Sequence, residues 1–276
     1  MVPEHRKSCG SRLRHAVELR LISEVPLGAF LSGGVDSSAV VAMMASLSTE
    51  PVNTCSISFD VPSFDESVYA REVAERLATR HYVESVKVDD FDLIDRLVDV
   101  YDEPFADSSA IPTYRVCQLA RKRVTVALSG DGGDESFAGY RRYRLFANEE
   151  RVRGALPLGL RRAVFGALGR CYPKLDWAPK ALRAKTTLLE LSGDEDLAFC
   201  RMVSMISEEQ RTALLSPDLA QRLGGYEPSE VVRSRYREAH GFSALQRAQY
   251  ADLMTYLPGD ILVKVDRAAM ANSLET

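Results

Sequence analysis

An α/β fold is predicted for this chain: a parallel, twisted sheet with helices on both faces, leading into a helical portion. Three observations predict it. Short apolar runs alternate with helical periodicity through the first half of the 276 residues. Two glycine-rich strings, Ser32-Gly33-Gly34-Val35-Asp36-Ser37-Ser38 and Ser129-Gly130-Asp131-Gly132-Gly133-Asp134-Glu135, each follow directly on an apolar run, as loops do at the carboxyl ends of parallel strands. Beyond Tyr140 the strand pattern stops.

Leu13, Val17 and Leu21 fall at i, i+4 and i+8 and mark an amphipathic helix ahead of the first strand. Strands are predicted over 25–31, 52–59, 81–88 and 124–129, and helices over 37–47, 66–78, 91–101 and 111–121. Parallel strands need helical crossovers of this kind. After Tyr140 the chain reads as helices broken at Leu156-Pro157, Tyr172-Pro173, Ser192-Gly193-Asp194, Ser216-Pro217, Gly224-Gly225 and Leu257-Pro258-Gly259. The division predicted is a sheet portion over 1–140 and a helical portion over 141–276, without internal repeats. Charge divides with it: 14 Lys/Arg against 22 Asp/Glu in the first part, 21 against 17 in the second.

A hydrophobic content of 46% allows a substantial core. The net charge of -4 argues against a general nucleic-acid binder. No apolar run approaches the ~20 residues of a membrane span. The amino terminus, with Arg6, Lys7, Arg12 and Arg14 but no apolar block, does not read as a signal peptide. A soluble, cytoplasmic protein is expected. The five cysteines, Cys9, Cys55, Cys117, Cys171 and Cys200, lack C-x-x-C spacing and are expected reduced. The four histidines share no ligand spacing, and His81 is expected to pack or cap at a strand entrance.

The first glycine string has the chemistry of a phosphate cradle. Its glycines permit a sharp turn and a close approach, the amides that follow open a helix, and its serines add hydroxyls. A kinase-type P-loop would carry Gly-Lys, a dipeptide absent from the sequence. Asp36 offers an oxygen to a magnesium ion. The bland alternative is a serine-capped strand-to-helix turn. The second string sets three carboxylates within five residues, which repel one another unless a cation neutralises them, and magnesium fits that need. Its spacing does not make a dinucleotide fingerprint, since Glu135 stands where a glycine is required. The alternative is a Gly/Asp-rich surface turn. The arginines Arg141, Arg142, Arg144, Arg151, Arg153, Arg161 and Arg162 read either as a polyphosphate or RNA patch or, as is expected here, as a solvated helix face pairing with Glu149 and Glu150 and with a partner domain. Arg141 and Arg142 are expected nearest a ligand.

The string SGGVDSS resembles the pyrophosphate loop of the N-type ATP pyrophosphatases. Five stretches are similar to the synthetase domain of glutamine-hydrolysing asparagine synthetases: VPLGAFLSGGVDSS (25–38), FDESVYAREVAERLATRHYVE (64–84), DEPFADSSAIPTY (102–114), VALSGDGGDESFAGYRRY (126–143) and LPGDILVKVDRAAMANSLE (257–275). The resemblance implies ATP and Mg2+ as cofactors and an amide-forming ligase that adenylates a carboxylate, aspartate first, releases pyrophosphate and transfers ammonia. It implies that Ser32, Gly33, Gly34, Asp36, Ser37 and Ser38 hold the nucleotide's phosphates, that Asp36 and Asp134 hold the Mg-pyrophosphate, and that Asp131 takes a proton from the attacking ammonia. At that last position the family often has Glu.

Adenine is implied at Leu31, Phe59 and the backbone of Ser129 and Gly130, although Leu31 and Phe59 read equally as core residues. The loop 102–109 is implied near the acceptor, with Ser108 and Ser109 alternatively mere N-caps. Lys264, Asp266 and Arg267 are implied beside the active site, Lys264 in a catalytic role. The family's amino-terminal glutaminase domain is not expected in this chain, so ammonia is expected from solution or a separate subunit. The family's Arg-x-Pro segment and a later phosphate-contacting lysine are expected to be missing as well. A homodimer is a further possibility left open. Open too are other adenylating chemistries, β-lactam-forming or surface-polymer amidotransferase, and a nucleotide-binding module without catalysis.

Overall fold

The computed structural model describes residues 2–63, 65–87, 91–173 and 184–276. Phe64, which opens one of the resembling stretches, and Val88, predicted to end the third strand, lie outside the described residues. The chain forms two compact units, 1–133 with 258–276, and 134–257.

The elements of the first part of the chain are α1 (Val2–Arg20), β1 (Leu27–Phe30), α2 (Val35–Leu47), β2 (Asn53–Phe59), α3 (Ser67–Arg76), β3 (Arg80–Val86), a 3-10 turn (Phe91–Leu93), α4 (Ile94–Tyr101), α5 (Ala110–Arg121) and β4 (Val126–Leu128). Helices follow: α6 (Gly133–Phe137), α7 (Arg141–Ala155), α8 (Leu158–Cys171), α9 (Lys185–Ser192), α10 (Glu195–Val203), α11 (Glu208–Leu214), α12 (Pro217–Arg222), α13 (Ser229–Glu238), α14 (Ala244–Met254) and, after a π turn (Leu257–Ile261), α15 (Leu262–Ala271).

All four predicted strands are present in the first unit, in the order β3-β2-β1-β4 and parallel throughout. Phe30 lies opposite Cys55, and Ala29 opposite Leu128. Successive strands step from β1 to β2 to β3, and β4 then returns to the other side of β1. The order therefore reverses beside β1, where the two glycine strings leave the sheet.

Helical periodicity explains how the faces are covered. On α2 the buried residues are Ser37, Val41 and Met44, of which Val41 and Met44 join Val17 of α1, Ala29, Leu31, and Ala70 and Ala74 of α3 in one core cluster. On α5 Ala110, Tyr114, Cys117 and Ala120 are buried at i, i+4, i+7 and i+10, and pack with Leu97 and Tyr101 of α4 and Ala268 and Ala269 of α15. His81, in β3, exchanges hydrogen bonds with the hydroxyls of Thr54 (2.9 Å) and Ser56 (3.2 Å) on β2, and burial lowers its pKa. All five cysteines are free, with Cys55, Cys117 and Cys200 buried.

The sequence-based division at Tyr140 assigns everything after it to a helical portion. Contacts instead group 258–276 with the sheet. The reason is packing: α15 lies on α4 and α5, Leu274 is 1% exposed in the core, and Glu275 pairs with Val126 at the start of β4, its amide donating to the Thr125 carbonyl and its carbonyl accepting from the Ala127 amide.

The second unit is helical. Its core holds Tyr143, Phe146, Phe199 and Tyr236, with Phe146 edge-on to Phe199 at 5.3 Å and to Tyr236 at 6.0 Å. Buried charge is common here. Arg153 is 4% exposed; it pairs with Glu149 at 3.0 Å and with Glu150, and donates to the Glu190 carbonyl at 3.2 Å. Arg161, also buried, donates to the carbonyls of Leu191 and Gly193. The expected pairing of the arginine run with Glu149 and Glu150 is thus found at Arg153, but Arg153 and Arg161 are interior side chains that cap the end of α9 instead of a solvated face. Arg142, expected near a ligand, is tied to Asp252 at 3.0 Å and lies over the Tyr140 ring at 3.9 Å.

Burial, then the neighbouring Glu149 carboxylate, push the Glu190 carboxyl from 4.5 to about 7, against the pull of Arg153 and Arg201. The folded protein therefore holds this proton more tightly than the unfolded chain. The resulting stability is fully present below pH 4.5 and is lost as pH rises through about 7. Glu190→Gln should abolish that slope, so that the variant gains about 1–3 kcal/mol relative to the parent between pH 5 and pH 8; urea denaturation at both pH values checks it.

Candidate active site

The site grows from the exit of β1. Leu31 continues the strand, its amide donating to the Cys55 carbonyl at 2.9 Å, and its side chain is 1% exposed in the core. Of the two readings open for Leu31, the side chain's position is that of a core residue. Gly33 then turns with φ +81°, and a Cβ there would sit 2.6 Å from the Ala70 amide nitrogen and from the Tyr69 Cβ. Only glycine combines that conformation with that closeness.

Gly34 is the N-cap of α2 and supplies no side-chain cap. The first amides of an α-helix have no carbonyl partner one turn back, and α2 has no side-chain cap there. The Ser32 hydroxyl accepts from the Gly34 amide at 3.2 Å and shares a 3.0 Å hydrogen bond with the Ser37 hydroxyl, which donates on to the Gly34 carbonyl at 3.3 Å. These bonds fix the loop from inside. The Ser38 hydroxyl oxygen is buried with no protein hydrogen-bond partner. Uncapped amides, an unpartnered buried hydroxyl and a positive helix end are the donor set that an anion takes.

The second glycine string closes over this turn. A Cβ on Gly130 would come within 2.7 Å of the Ser37 amide nitrogen, and one on Gly133 within 2.5 Å of the Asp36 carboxyl carbon. The convergence expected from the sequence is therefore found in the first unit between Asp36, Ser37, Gly130 and Gly133. Asp131 is exposed; its amide donates to the Ser129 hydroxyl at 2.9 Å, and that hydroxyl donates back to its carboxylate. Asp134 begins the second unit, where Gly139 leaves no room for a Cβ beside its carboxylate.

Ser129 engages Asp131, and Glu135 is 1% exposed and accepts from the Tyr140 hydroxyl at 2.6 Å. Among the described residues no group of three or more His, Cys, Asp or Glu side chains is arranged to hold a metal ion. A magnesium ion would instead take one or two carboxylates and complete its shell with phosphate and water oxygens. Asp36, held against Gly133, suits that use.

Phe59 is half-buried at the end of β2, and its amide donates to Asp65 at 3.4 Å. A cavity of about 680 Å³ is lined by Ser129, Asp131 and Asp266 and by apolar residues of α1, α2 and α15, among them Val17, Val40 and Leu262. Arg267 reaches Glu103 at 4.0 Å. Lys264 is 7% exposed, its ammonium donating to Asp107 at 2.6 Å and to the Ser109 hydroxyl at 2.7 Å. Burial alone would raise the Asp107 carboxyl; hydrogen bonds from Lys264 and Ser109 outweigh it and hold the group below its ordinary value. Sequence reasoning marked the loop 102–109 and Lys264 separately and missed their ion pair; it did not single out Asp260, whose carboxylate keeps one oxygen buried without a hydrogen-bond partner. A D-x-S string at the start of a helix was the available signal for the first.

Comparison with known proteins covers nearly the whole chain. The family described as Asparagine synthase matches residues 9–276. The chain is 31% identical to Asparagine synthetase [glutamine-hydrolyzing] 1 of Bacillus subtilis over 94% of its own length and 39% of the relative's. It is 36% identical to Putative asparagine synthetase [glutamine-hydrolyzing] 2 of Methanocaldococcus jannaschii, over 94% and 48%. To a putative asparagine synthetase of Mycobacterium tuberculosis it is 34% identical, over 95% and 38%. The chain thus spans less than half the length of these relatives.

Backbone geometry at the first turn gives a direct test. Gly33→Ala should lower unfolding stability by about 2–3 kcal/mol, because it adds both a φ conflict and a collision. Gly34→Ala, with φ -66° and its nearest neighbour the Ser32 hydroxyl at 3.2 Å, should cost less than about 1 kcal/mol. Urea denaturation of both variants reads the difference.

Proposed function

The chain belongs to the asparagine synthase family of carbon–nitrogen ligases, and from that premise we propose that it adenylates a carboxylate, the β-carboxylate of aspartate, and passes it to ammonia with release of AMP. A carboxylate does not react with ammonia at neutral pH. Its oxygen must first attack the α-phosphate of ATP, displacing pyrophosphate and making the acyl carbon open to the amine. The observation that carries the proposal is the uncapped start of α2, enclosed by Gly33 and Gly130 with the Asp36 carboxylate held against Gly133. Such a turn stabilises charge that builds on a departing pyrophosphate.

In this reading the amides at the start of α2 and the Ser38 hydroxyl bind the phosphate oxygens, while Ser32 and Ser37 hold the loop around them from inside. Asp36, and Asp134, which follows Gly133 directly in the chain, are assigned to the divalent ion. Magnesium bound there would neutralise the pyrophosphate. Phe59 and the backbone of Ser129 and Gly130 are assigned to the adenine, and the core position of Leu31 limits its part to its backbone. Asp131, oriented by Ser129, is assigned as the base that removes a proton from the ammonium-like nitrogen once it has bonded to carbon. Lys264 is assigned to an anionic substrate oxygen. The ammonia is assigned to a glutaminase part, as the relatives' names describe for them.

The two half-reactions separate by mutation. With Mg-ATP, aspartate and ammonium, Asp36→Asn should reduce pyrophosphate release by about 100-fold or more. Asp131→Asn should keep pyrophosphate release and accumulate acyl-AMP, detectable by mass spectrometry, while asparagine formation falls by about 100-fold. Undiminished pyrophosphate release in Asp36→Asn would sink the assignment.

A further inference from the structure

A buried cluster ties together two segments that lie far apart in sequence. Lys264, on the first turn of α15, is 7% exposed. Its ammonium has three donors, and two are committed: to Asp107 at 2.6 Å and to the Ser109 hydroxyl at 2.7 Å. Ser109 also donates to Asp107 twice, from its amide at 2.8 Å and its hydroxyl at 2.7 Å. Although Ser109 is the N-cap of α5, its hydroxyl makes no cap bond. It is engaged in the ion pair instead. Nearby, Asp260 keeps one carboxylate oxygen buried with no hydrogen-bond partner, and burial followed by the charge of Asp107 raises its pKa.

Stability alone explains such a cluster poorly, since a buried ion pair is often matched or bettered by apolar residues of the same size. Its location is more informative. α5 packs on β2 and β3 and runs back from its first turn toward the start of β4, so Ser109 lies on the side of the sheet where the parallel strands end. Val263 and Asp266, which flank Lys264, line the same cavity as Ser129 and Asp131.

We propose that Asp107 and Ser109 are positioning residues that hold the Lys264 ammonium at this edge with its third N–H kept for an anionic substrate oxygen. The inference rests on the function proposed above and adds to it how the lysine is held. Asp107 and Ser109 together fix where the ammonium sits, since each takes one of its N–H groups. The Lys264–Asp107 pair is neutral as a whole, so it does not repel an incoming carboxylate or phosphate as a lone carboxylate would.

The test is acetic anhydride labelling of the nucleotide-free chain, read at Lys264 by mass spectrometry. Lys264 should label slowly in the parent. In Asp107→Asn and Ser109→Ala labelling should rise, by about fivefold or more in the former because the lysine loses the carboxylate that holds it in place. Asp107→Glu should restore slow labelling while Asp107→Ala does not, at matched melting temperatures. Equal labelling in the parent and Asp107→Asn, or no rescue by Glu, would overturn the positioning role.

Two further arms identify the anion. Protection of Lys264 by a magnesium complex of an α,β-methylene ATP analogue assigns the third N–H to phosphate; protection by aspartate assigns it to carboxylate. Protection by neither overturns the anion role. Calorimetry of nucleotide binding runs in parallel and tests the proposed function separately, so a chain that binds nucleotide without protecting Lys264 loses only the inference.

Discussion

The site depends on backbone meeting backbone at the reversal of strand order. Gly33 is pressed on the start of α3, and Gly130 on the first turn of α2, with no space for a Cβ at either. Hydrogen bonds among Ser32, Gly34 and Ser37 lock the turn between them. A loop held this way keeps its amides oriented before any ligand arrives, which is the condition for electrostatic stabilisation without reorganisation. Everything assigned to Asp36 follows from that fixed frame, because its carboxylate abuts Gly133.

Much of this frame was legible in the sequence. The four strands fell where apolar runs of four to eight residues were bounded by turn residues, and their ends shifted by only a few positions. The glycine strings announced themselves because their chemistry is local: a turn, a helix start and an acid fit within seven residues. What sequence could not deliver was non-local. Nothing in Asp107 or Lys264 alone discloses an ion pair across 157 positions. Leu31 carries no mark that separates core from ligand wall; its 1% exposure decides it. Arginine usually signals surface, and Arg153 and Arg161 broke that expectation by satisfying the last carbonyls of α9 from inside.

The second unit follows a different logic. Its aromatic centre of Phe146, Phe199 and Tyr236 is ordinary packing, but around it charged groups are buried in sets. Asp252 accepts from both Arg142 and Tyr143, and burial raises its pKa while those two partners draw it back. Such sets fix geometry at the expense of tolerance, since removing one member strands the groups paired with it.

The return of 258–276 to the sheet has a consequence for biogenesis. Leu274, Ala268 and Ala269 belong to the core that α4 and α5 begin, and Glu275 completes the hydrogen bonding beside β4. On the ribosome the early strands emerge well before the segment that seals them, whereas 134–257 is contiguous and has its whole core in hand. The helical unit can thus mature while the nascent sheet still waits with apolar surface uncovered, an interval in which chaperones would find their substrate.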